Sequence, residues 1–397
     1  MPPLISVLLP TRNRLELLEH AVETVRRQDD PDWELVVSDN ASEEDVTGYV
    51  ASLDDERVRC VSTERFVPVT DNWNNALAHS TGSHVIMLGD DDGLMPGYVG
   101  RLRALVDRFD SPDVIYSSAW LYAHPGVVPG EPEGYVQPYG YARFLRGRSE
   151  PFVLDRATAR KLVDHAMHFR VRYGFNMQFS TVSRSLVERV AERGPFFQSA
   201  FPDYYATNAA FLAAERVVVE PRPLVAIGIA RKSYGFFHIS RQEEGGKAFL
   251  GATSDEATRQ RLEAAMLPGT NINAGWLSAL ESLRARYPEL IPSEPDHGRF
   301  RLLQSAYVYE GHFLRGTVSD AELAELEAHL TRPQRVVGRT LGRLARAARR
   351  LPRPAQRALA FAFYRLALRQ FPRWDPPKLR GRYPTLLDLY ESPPTRP

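Results

Sequence analysis

Short apolar runs and helical repeats alternate through the first hundred residues of this chain. The apolar runs have the length of buried strands, and between them apolar residues recur every three or four positions, as Leu15, Leu18 and Val22 do. The strands predicted in this way are Leu4 to Leu9, Trp33 to Ser38, Val58 to Ser62 and a run that ends at Leu88. Strands that alternate with helices predict an α/β domain with a mostly parallel sheet covered by helices.

The pattern changes twice farther along the chain. Residues 120–150 are rich in Gly, Pro and Tyr, which favours loops or a small hairpin, and helices and strands then resume up to about residue 245. From Asp255 onward the apolar spacing is helical. Because 397 residues are enough for more than one core, we predict a first domain over 1–245, with halves at 1–119 and 120–245, and a helical C-terminal region over 246–397.

The composition is that of a folded protein in a reducing compartment. Apolar residues make up 43% of the chain and charged residues 25%, and the single cysteine, Cys60, excludes an intramolecular disulfide. No apolar run approaches the roughly 20 residues of a membrane span, and the N-terminus lacks the charged and apolar segments of a secretory leader. These features predict a cytoplasmic protein.

The near-neutral chain contains one strongly basic segment. Residues 331–384 carry 15 Lys or Arg and one acid, although the net charge of the whole chain is +1. Two predicted helices over 333–371 combine these Arg with apolar residues. Such helices bind anionic membrane surfaces, which would make the protein peripheral at the inner face of the membrane, or they pack on the first domain with their Arg side chains in solvent. No recognised nucleic-acid-binding module accompanies the charge, so no nucleic-acid partner is predicted.

Three consecutive acids follow the fourth predicted strand. Asp90, Asp91 and Asp92 come after Gly89, directly behind the apolar run that ends at Leu88. Open α/β sheets bind ligands beyond the carboxyl ends of their strands, so the acids should lie where a ligand binds. Adjacent carboxylates repel one another, and a divalent cation is the simplest group that neutralises them. The alternative is an acidic turn that only ends the strand.

Two further loops should reach the same edge of the sheet. Pro10 to Arg14 follows the first strand, and Ser38 to Ser42 follows the second. Within them, Asp39 is suited to accept hydrogen bonds from the N–H of a nucleobase, or to cap the next helix. Arg12 is suited to a phosphate, or to a surface loop.

These loops, together with Asn72 to Leu77 ahead of the fourth strand, resemble the GT-A fold glycosyltransferases of family 2. The resemblance is clear over residues 4 to about 120 and continues as isolated matches to about residue 241. It implies a Rossmann-like GT-A fold and an inverting enzyme that transfers a sugar from a UDP-, GDP- or dTDP-linked donor. It also implies Mn²⁺ or Mg²⁺, and an acceptor that is a glycan, a lipid-linked saccharide or another hydroxyl compound, as in the synthesis of cell-envelope polysaccharide or glycolipid.

The resemblance also assigns roles to individual residues. It implies that the nucleotide sugar is bound by Pro10, Thr11, Arg12, Asp39, Asn72, Asp90 and Arg241. It implies that the metal is bound by Asp91, Asp92 and His238, the last of these on a basic loop that also contains Lys232. Gly89 stands where many members have the first acid of their metal motif, so the division of roles among the three Asp stays open. A structural role for His238 is the alternative to a metal ligand.

The resemblance implies a general base at Asp203. Inverting transfer needs a group that takes the proton of the acceptor hydroxyl, and in the family this acid opens a helix downstream of the metal motif. Asp203 opens the apolar helix predicted over Tyr204 to Ala214. A helix cap is the alternative reading of this residue.

Two other functions are consistent with an α/β domain of this kind. A nucleotidyltransferase also uses a divalent metal, but it usually has a Gly-rich phosphate loop near the first strand, and Pro10 to Arg14 contains no Gly. A catalytically silent binding or scaffold protein is the other alternative. The sequence favours the glycosyltransferase.

Overall fold

The computed structural model describes residues 2–127, 133–139, 142–199, 201–231, 265–352 and 380–394, with residues 233, 260, 354, 355 and 358 between them. The helices are α1 (Leu15–Arg26), α2 (Val46–Ser52), α3 (Val69–Ala78), α4 (Tyr98–Arg108), α5 (Arg156–Met167), α6 (Arg184–Ala191), α7 (Pro202–Ala213), α8 (Asn271–Arg286), α9 (His297–Glu310), α10 (Asp320–Ala328), α11 (Arg332–Ala348) and α12 (Leu386–Glu391). The strands are β1 (Ile5–Thr11), β2 (Trp33–Asp39), β3 (Val58–Ser62), β4 (His84–Met87), β5 (Gly93–Leu94), β6 (Val114–Ala123), β7 (Tyr135–Tyr139), β8 (Phe152–Leu154), β9 (Ser180–Ser183), β10 (Val217–Ile229) and β11 (Gly381–Arg382).

The first four strands form a parallel half-sheet in the order β4, β1, β2, β3. Every residue of β1 and β2 is buried, as continuous apolar runs require in a sheet that is covered on both faces. Helix α1 buries one stripe against this sheet, which includes Leu18, Val22 and Val25. The alternation of strands and helices in the sequence therefore produces the predicted α/β architecture.

The second half of the sheet is mixed. Strands β6 and β10 pair in parallel, whereas β9 pairs antiparallel with both β4 and β6 and joins the two halves. Strand β7 pairs antiparallel with β6, which forms the small hairpin expected within residues 120–150. The GT-A class of mixed α/β fold with a helical C-terminal region is confirmed, and antiparallel strands supplement the parallel core.

Helices dominate the described part of the C-terminal region, as the sequence predicts. Helix α8 packs on α7, and Trp276 of α8 stacks on Tyr204 of α7 with 4.9 Å between ring centroids. Helix α10 begins at a capping box, which the Ser319 hydroxyl and Glu322 form. Of the two helices predicted over 333–371, the second lies almost entirely outside the described residues.

The last described segment returns to the first domain. Residues 380–394, which we call the C-terminal strap, add β11 to the edge of β7 and place α12 against α1. Leu386 and Leu389 are buried in a cluster with Trp120 and Tyr122 of β6. The C-terminal region, predicted as helical, thus also contains, from residue 380, elements that pack on the sheet of the first domain.

Candidate active site at the carboxyl edge of the sheet

The acid turn, Gly89 to Asp92, lies where β4 ends and beside the ends of β1 and β2. The parallel register brings the three carboxyl ends to one edge. Asn40 N–H donates to the Thr11 carbonyl at 3.0 Å, and Glu43 N–H donates to the Asn13 side chain at 2.8 Å, so the loops after β1 and β2 are tied together. The predicted juxtaposition of the three loops is therefore present.

Asp92 points into the protein. Its Oδ2 accepts from Gly89 N–H at 2.7 Å and from Gln178 Nε2 at 2.6 Å, and its Oδ1 accepts from Gly228 N–H at 2.7 Å. Burial raises its pKa well above the usual value, and the neighbouring Asp91 adds to the rise. A carboxylate offers about four lone-pair sites, and three donors of the protein occupy this one. The geometry favours a supporting role for Asp92 in the turn.

Asp90 is completely buried between two groups of the β1 loop. Thr11 Oγ1 donates to its Oδ2 at 2.7 Å, and an Arg14 guanidinium nitrogen lies 3.0 Å from its Oδ1. Burial raises the pKa of Asp90 to about 6, against the opposing charge of Arg14. Burial also lowers the pKa of Arg14, but the three Asp carboxylates raise it by more, so this guanidinium stays charged. Arg14 therefore supplies part of the positive charge that the acid turn requires.

Asp91 has a carboxylate oxygen without a partner. Its Oδ2 is buried and has no hydrogen bond to any described residue. The backbone of Asp91 is fixed instead, since His124 Nε2 lies 3.1 Å from its carbonyl oxygen. A carbonyl only accepts, so Nε2 carries the hydrogen, and burial lowers the pKa of His124 and keeps the ring neutral. An unsatisfied buried carboxylate oxygen beside an Arg is suited to a cation or another ligand with positive charge.

The residues predicted to line the nucleotide pocket lie around the ends of β1 and β2. Asp39 accepts from Ser42 N–H at 3.1 Å, Arg12 donates to the Asn40 carbonyl at 2.9 Å, and Arg12 also lies over the Phe66 ring at 4.3 Å. Pro10 is part of β1. Both ends of the Asn72 amide are engaged: its Oδ1 accepts from Ser38 Oγ at 2.7 Å, and its Nδ2 donates to the Ser38 carbonyl at 3.1 Å. Asn72 therefore braces the end of β2.

Asp203 lies in the first turn of α7, after Phe201 at the cap and Pro202. It is only partly exposed, and burial raises its pKa to about 6. Helix α7 is connected to the acid turn through the short 3₁₀ turn Met177–Phe179. Thr207 of α7 donates to the Phe175 carbonyl at 2.7 Å, and Gln178 of the turn donates to Asp92. A carboxyl group with a pKa of about 6 is ionised at neutral pH and can still accept a proton, which suits a general base.

Three predicted residues, Lys232, His238 and Arg241, lie outside the described residues. Within the part of the chain that the structure describes, no group of three or more His, Cys, Asp or Glu side chains is arranged to hold a metal ion. No described helix is both long enough and apolar enough to cross a membrane.

Sequence reasoning did not find four residues of this site. They are Arg14, His124, Gln178 and Gly228. Gly228 is required because a Cβ at this position would lie 1.8 Å from the Asp91 carbonyl oxygen. Each of the four contacts the acid turn, and three of them lie 30 or more positions away from it along the chain. Of the four, only Arg14 could have been found from the sequence, because it lies in the loop after β1.

The first 160 residues match a known protein family. Residues 6–163 match the family model described as glycosyl transferase family 2. Over 103 residues the chain is 37% identical to a GalNAc(5)-diNAcBac-PP-undecaprenol beta-1,3-glucosyltransferase of Campylobacter jejuni, a match that covers 25% of this chain and 33% of that protein. Over 138 residues it is 30% identical to the putative colanic acid biosynthesis glycosyl transferase WcaA of Escherichia coli, which covers 34% and 47%. The chain thus spans a third to about half the length of these curated relatives.

Solved structures with a similar arrangement include TarS of S. aureus in complex with UDP-GlcNAc. That chain is 16% identical, the match covers 83% of this chain and 91% of that one, and the TM-score is 0.48. The matched family segment runs from β1 into α5 and contains the acid turn with the loops after β1 and β2. The match to glycosyl transferase family 2 therefore covers the segment of the chain that contains the candidate site.

Proposed function

We propose that this protein is a metal-dependent inverting glycosyltransferase that moves a sugar from a nucleoside diphosphate to an acceptor hydroxyl. The observation that carries the proposal is the buried Oδ2 of Asp91, which has no hydrogen bond from a described residue. It lies in a segment that matches family 2, next to Asp90, which pairs with the charged Arg14. Unlike Asp92, Asp91 retains a free acceptor atom. A ligand with positive charge satisfies it at the least cost, because an unpaired buried carboxylate oxygen is expensive.

The residues present fit a hard divalent cation bound together with a diphosphate. Carboxylate and phosphate oxygens are the ligands that Mn²⁺ and Mg²⁺ prefer, and Asp91 would contribute one of them. When bound, such a cation stabilises the negative charge on the departing diphosphate. Asp90 and Thr11 would fix the loop of β1 against the acid turn, and Arg14 would limit the repulsion among the three carboxylates. His238 and Arg241 stay candidates for the same end of the donor.

The nucleoside would lie along the loops after β1 and β2. Asp39 keeps its Oδ2 for a base N–H while its Oδ1 accepts from Ser42, and Arg12 closes one side of the loop through Asn40. Asn72 would hold this loop in position through its two hydrogen bonds with Ser38. The donor is therefore a nucleotide sugar whose base offers an N–H to a carboxylate, as uracil, thymine and guanine do.

Asp203 would take the proton of the acceptor. In the transfer, the acceptor oxygen attacks the anomeric carbon and loses its proton to the Asp203 carboxylate, and the bond from that carbon to the diphosphate breaks with the electron pair going to the diphosphate. A pKa of about 6 leaves the carboxylate ionised at neutral pH and still basic enough to accept a proton.

We propose a lipid-linked saccharide as the acceptor, in the synthesis of a cell-envelope glycan at the inner face of the membrane. The name of the Campylobacter jejuni relative states that its acceptor is linked to undecaprenyl diphosphate. The basic segment of 331–384 would suit work at an anionic membrane surface.

Incubation of the full chain with UDP-, GDP- and dTDP-linked sugars tests the proposal. We expect Mn²⁺ or Mg²⁺ to be required for release of a nucleoside diphosphate from one donor, slowly to water and faster with a lipid-linked saccharide. Release of inorganic diphosphate instead would indicate a nucleotidyltransferase. Failure to bind or consume any donor would contradict both enzymatic functions.

A further inference from the structure

Helix α11 exposes its apolar face to solvent. Val336, Val337, Leu341 and Leu344 have 58%, 56%, 50% and 61% of their surface exposed. They follow one another at helical spacing and form a continuous stripe along the helix. The described residues contain nine exposed large apolar side chains, and four of them lie on this one face. An apolar stripe of this size on a single exposed helix is characteristic of an interaction surface.

The opposite face of α11 carries Gly and Arg and packs on the protein. A Cβ at Gly338 would lie 2.2 Å from the Tyr309 ring, and one at Gly342 would lie 2.4 Å from the Phe313 ring, so the helix approaches these rings closely. Arg339 Nε donates to Glu327 at 2.7 Å. An amphipathic helix of a globular protein normally buries its apolar face, and here the arrangement is reversed.

The charge on α11 identifies the kind of partner. The helix contains five Arg and no acid, and the segment 331–384 around it carries 15 basic residues and one acid. Arg343 is exposed and lies about two helical turns after Val336, at the border of the apolar stripe. A second copy of the chain would place two strongly basic segments together, which is unfavourable. An anionic bilayer satisfies both the charge and the apolar stripe.

We infer that α11 docks on an anionic lipid bilayer and inserts Val336, Val337, Leu341 and Leu344 below the headgroups. The helix lies in the plane of the interface, with the Arg side chains at its borders near lipid phosphates. In this orientation the Gly338 and Gly342 face stays against the protein. The inference deepens the proposed function, on which it rests for the lipid-linked acceptor, but the surface itself is defined by α11 alone.

Vesicle flotation of the full chain, without nucleotide or acceptor, tests this surface. We expect binding to vesicles that contain phosphatidylglycerol and much weaker binding to phosphatidylcholine vesicles. The double variant Leu341→Gln and Leu344→Gln should bind about tenfold or more weakly, because it removes apolar area from the interface. Arg343→Gln should bind about fivefold more weakly, which corresponds to ~1 kcal/mol for one basic residue near the surface. Added salt should weaken binding of the wild type.

Val153→Gln is the matched control, since Val153 is a similarly exposed apolar residue, at 51%, on strand β8. It should bind vesicles as the wild type does, and thermal melting should show that all the variants are folded. The inference would be overturned if the wild-type protein did not bind anionic vesicles, or if the double variant bound them as well as the wild type does. So would a concentration-dependent dimer that the double variant abolishes, because the stripe would then be covered by a second copy. Donor binding is measured separately. A wild-type protein that binds its donor but does not bind anionic vesicles would therefore overturn this inference and leave the proposed function intact.

Discussion

Asp91 and Asp92 are adjacent carboxylates in opposite environments. Asp92 accepts three hydrogen bonds from the protein, whereas Asp91 has a buried oxygen that accepts none from a described residue. The difference arises because Gly89 of the turn and two distant residues, Gln178 and Gly228, all donate to Asp92. One carboxylate therefore fixes the turn, and the other is free to bind a ligand.

Gly228→Ala tests how closely the acid turn is held. A Cβ at this position meets the Asp91 carbonyl oxygen at 1.8 Å, so we expect a loss of about 1–3 kcal/mol in stability and weaker donor binding. Gly100→Ala is the control, because no atom of a described residue lies within 4 Å of a Cβ at this position and α4 should gain up to about 1 kcal/mol. Thermal melting and donor titration measure both effects. Equal behaviour of the two variants would show that the approach of Gly228 to Asp91 is unimportant.

Asp203→Asn tests the general base. Burial raises the pKa of Asp203 to about 6, so the carboxylate is protonated and inactive below that pH, and the rate of transfer should rise as the pH increases through about 6. The variant should retain donor binding, lose at least about 10²-fold in kcat, and lose this acid limb. A pH–rate profile of both proteins provides the measurement. Turnover of the variant close to that of the wild type would leave Asp203 as a helix-terminal residue only.

The positions of residues at the end of a strand could be predicted from the sequence. Contacts made by residues distant along the chain could not. Asp39 and the three Asp of the turn follow apolar strands directly, so their edge of the sheet is fixed by the local pattern. Gln178 and Gly228 contact Asp92 only because β4, β9 and β10 belong to one sheet. Such contacts depend on strand order, which the apolar pattern does not specify.

At the scale of elements, the C-terminal strap is part of the first domain. Leu386 of α12 lies in the buried cluster under Trp120 and Tyr122, and a Cβ at Gly93 would lie 3.1 Å from it. Gly93 directly follows Asp92. The Tyr122 hydroxyl donates to the Tyr383 carbonyl at 3.0 Å, and the Tyr122 ring contacts His124. The strap therefore packs against residues that adjoin the acid turn.

Leu386→Ala should lower both stability and donor affinity. Leu386 is 2% exposed, and removal of a buried Leu side chain usually costs about 2–5 kcal/mol. Leu302→Ala is the control, because Leu302 is 48% exposed on α9. Thermal melting with and without donor provides the measurement. If Leu386→Ala and Leu302→Ala melt together with the wild type, the strap contributes nothing to the domain.

Helix α11 shows why an element can be predicted while its orientation cannot. The sequence predicts two basic amphipathic helices over 333–371, and the structure places the first at Arg332–Ala348. Its periodicity does not reveal which face packs on the protein. The face with Gly338 and Gly342 packs, because the absence of a Cβ there lets the rings of Tyr309 and Phe313 approach the helix closely. The short β11 and α12 carry too few residues for a periodic signal.

At the scale of the whole molecule, opposite charges are separated along the chain. The acid turn belongs to the first domain, and the basic segment 331–384 lies in the helical C-terminal region. The near-neutral total conceals this division. The first domain would thus handle the donor through a metal, while the basic segment would face the membrane that carries the acceptor.

Calorimetric titration of UDP and GDP into the full chain, with and without Mn²⁺, tests the central claim that Asp91 binds the metal and diphosphate end of the donor. We predict that Mn²⁺ strengthens binding of one nucleotide to the wild type by at least about tenfold, ~1.4 kcal/mol, and that Asp91→Asn loses this dependence. Asp107→Asn, which changes an exposed carboxylate on α4, should behave as the wild type does. Mn²⁺-dependent binding that persists in Asp91→Asn would contradict the assignment, and absence of nucleotide binding by the wild type would contradict the proposed function.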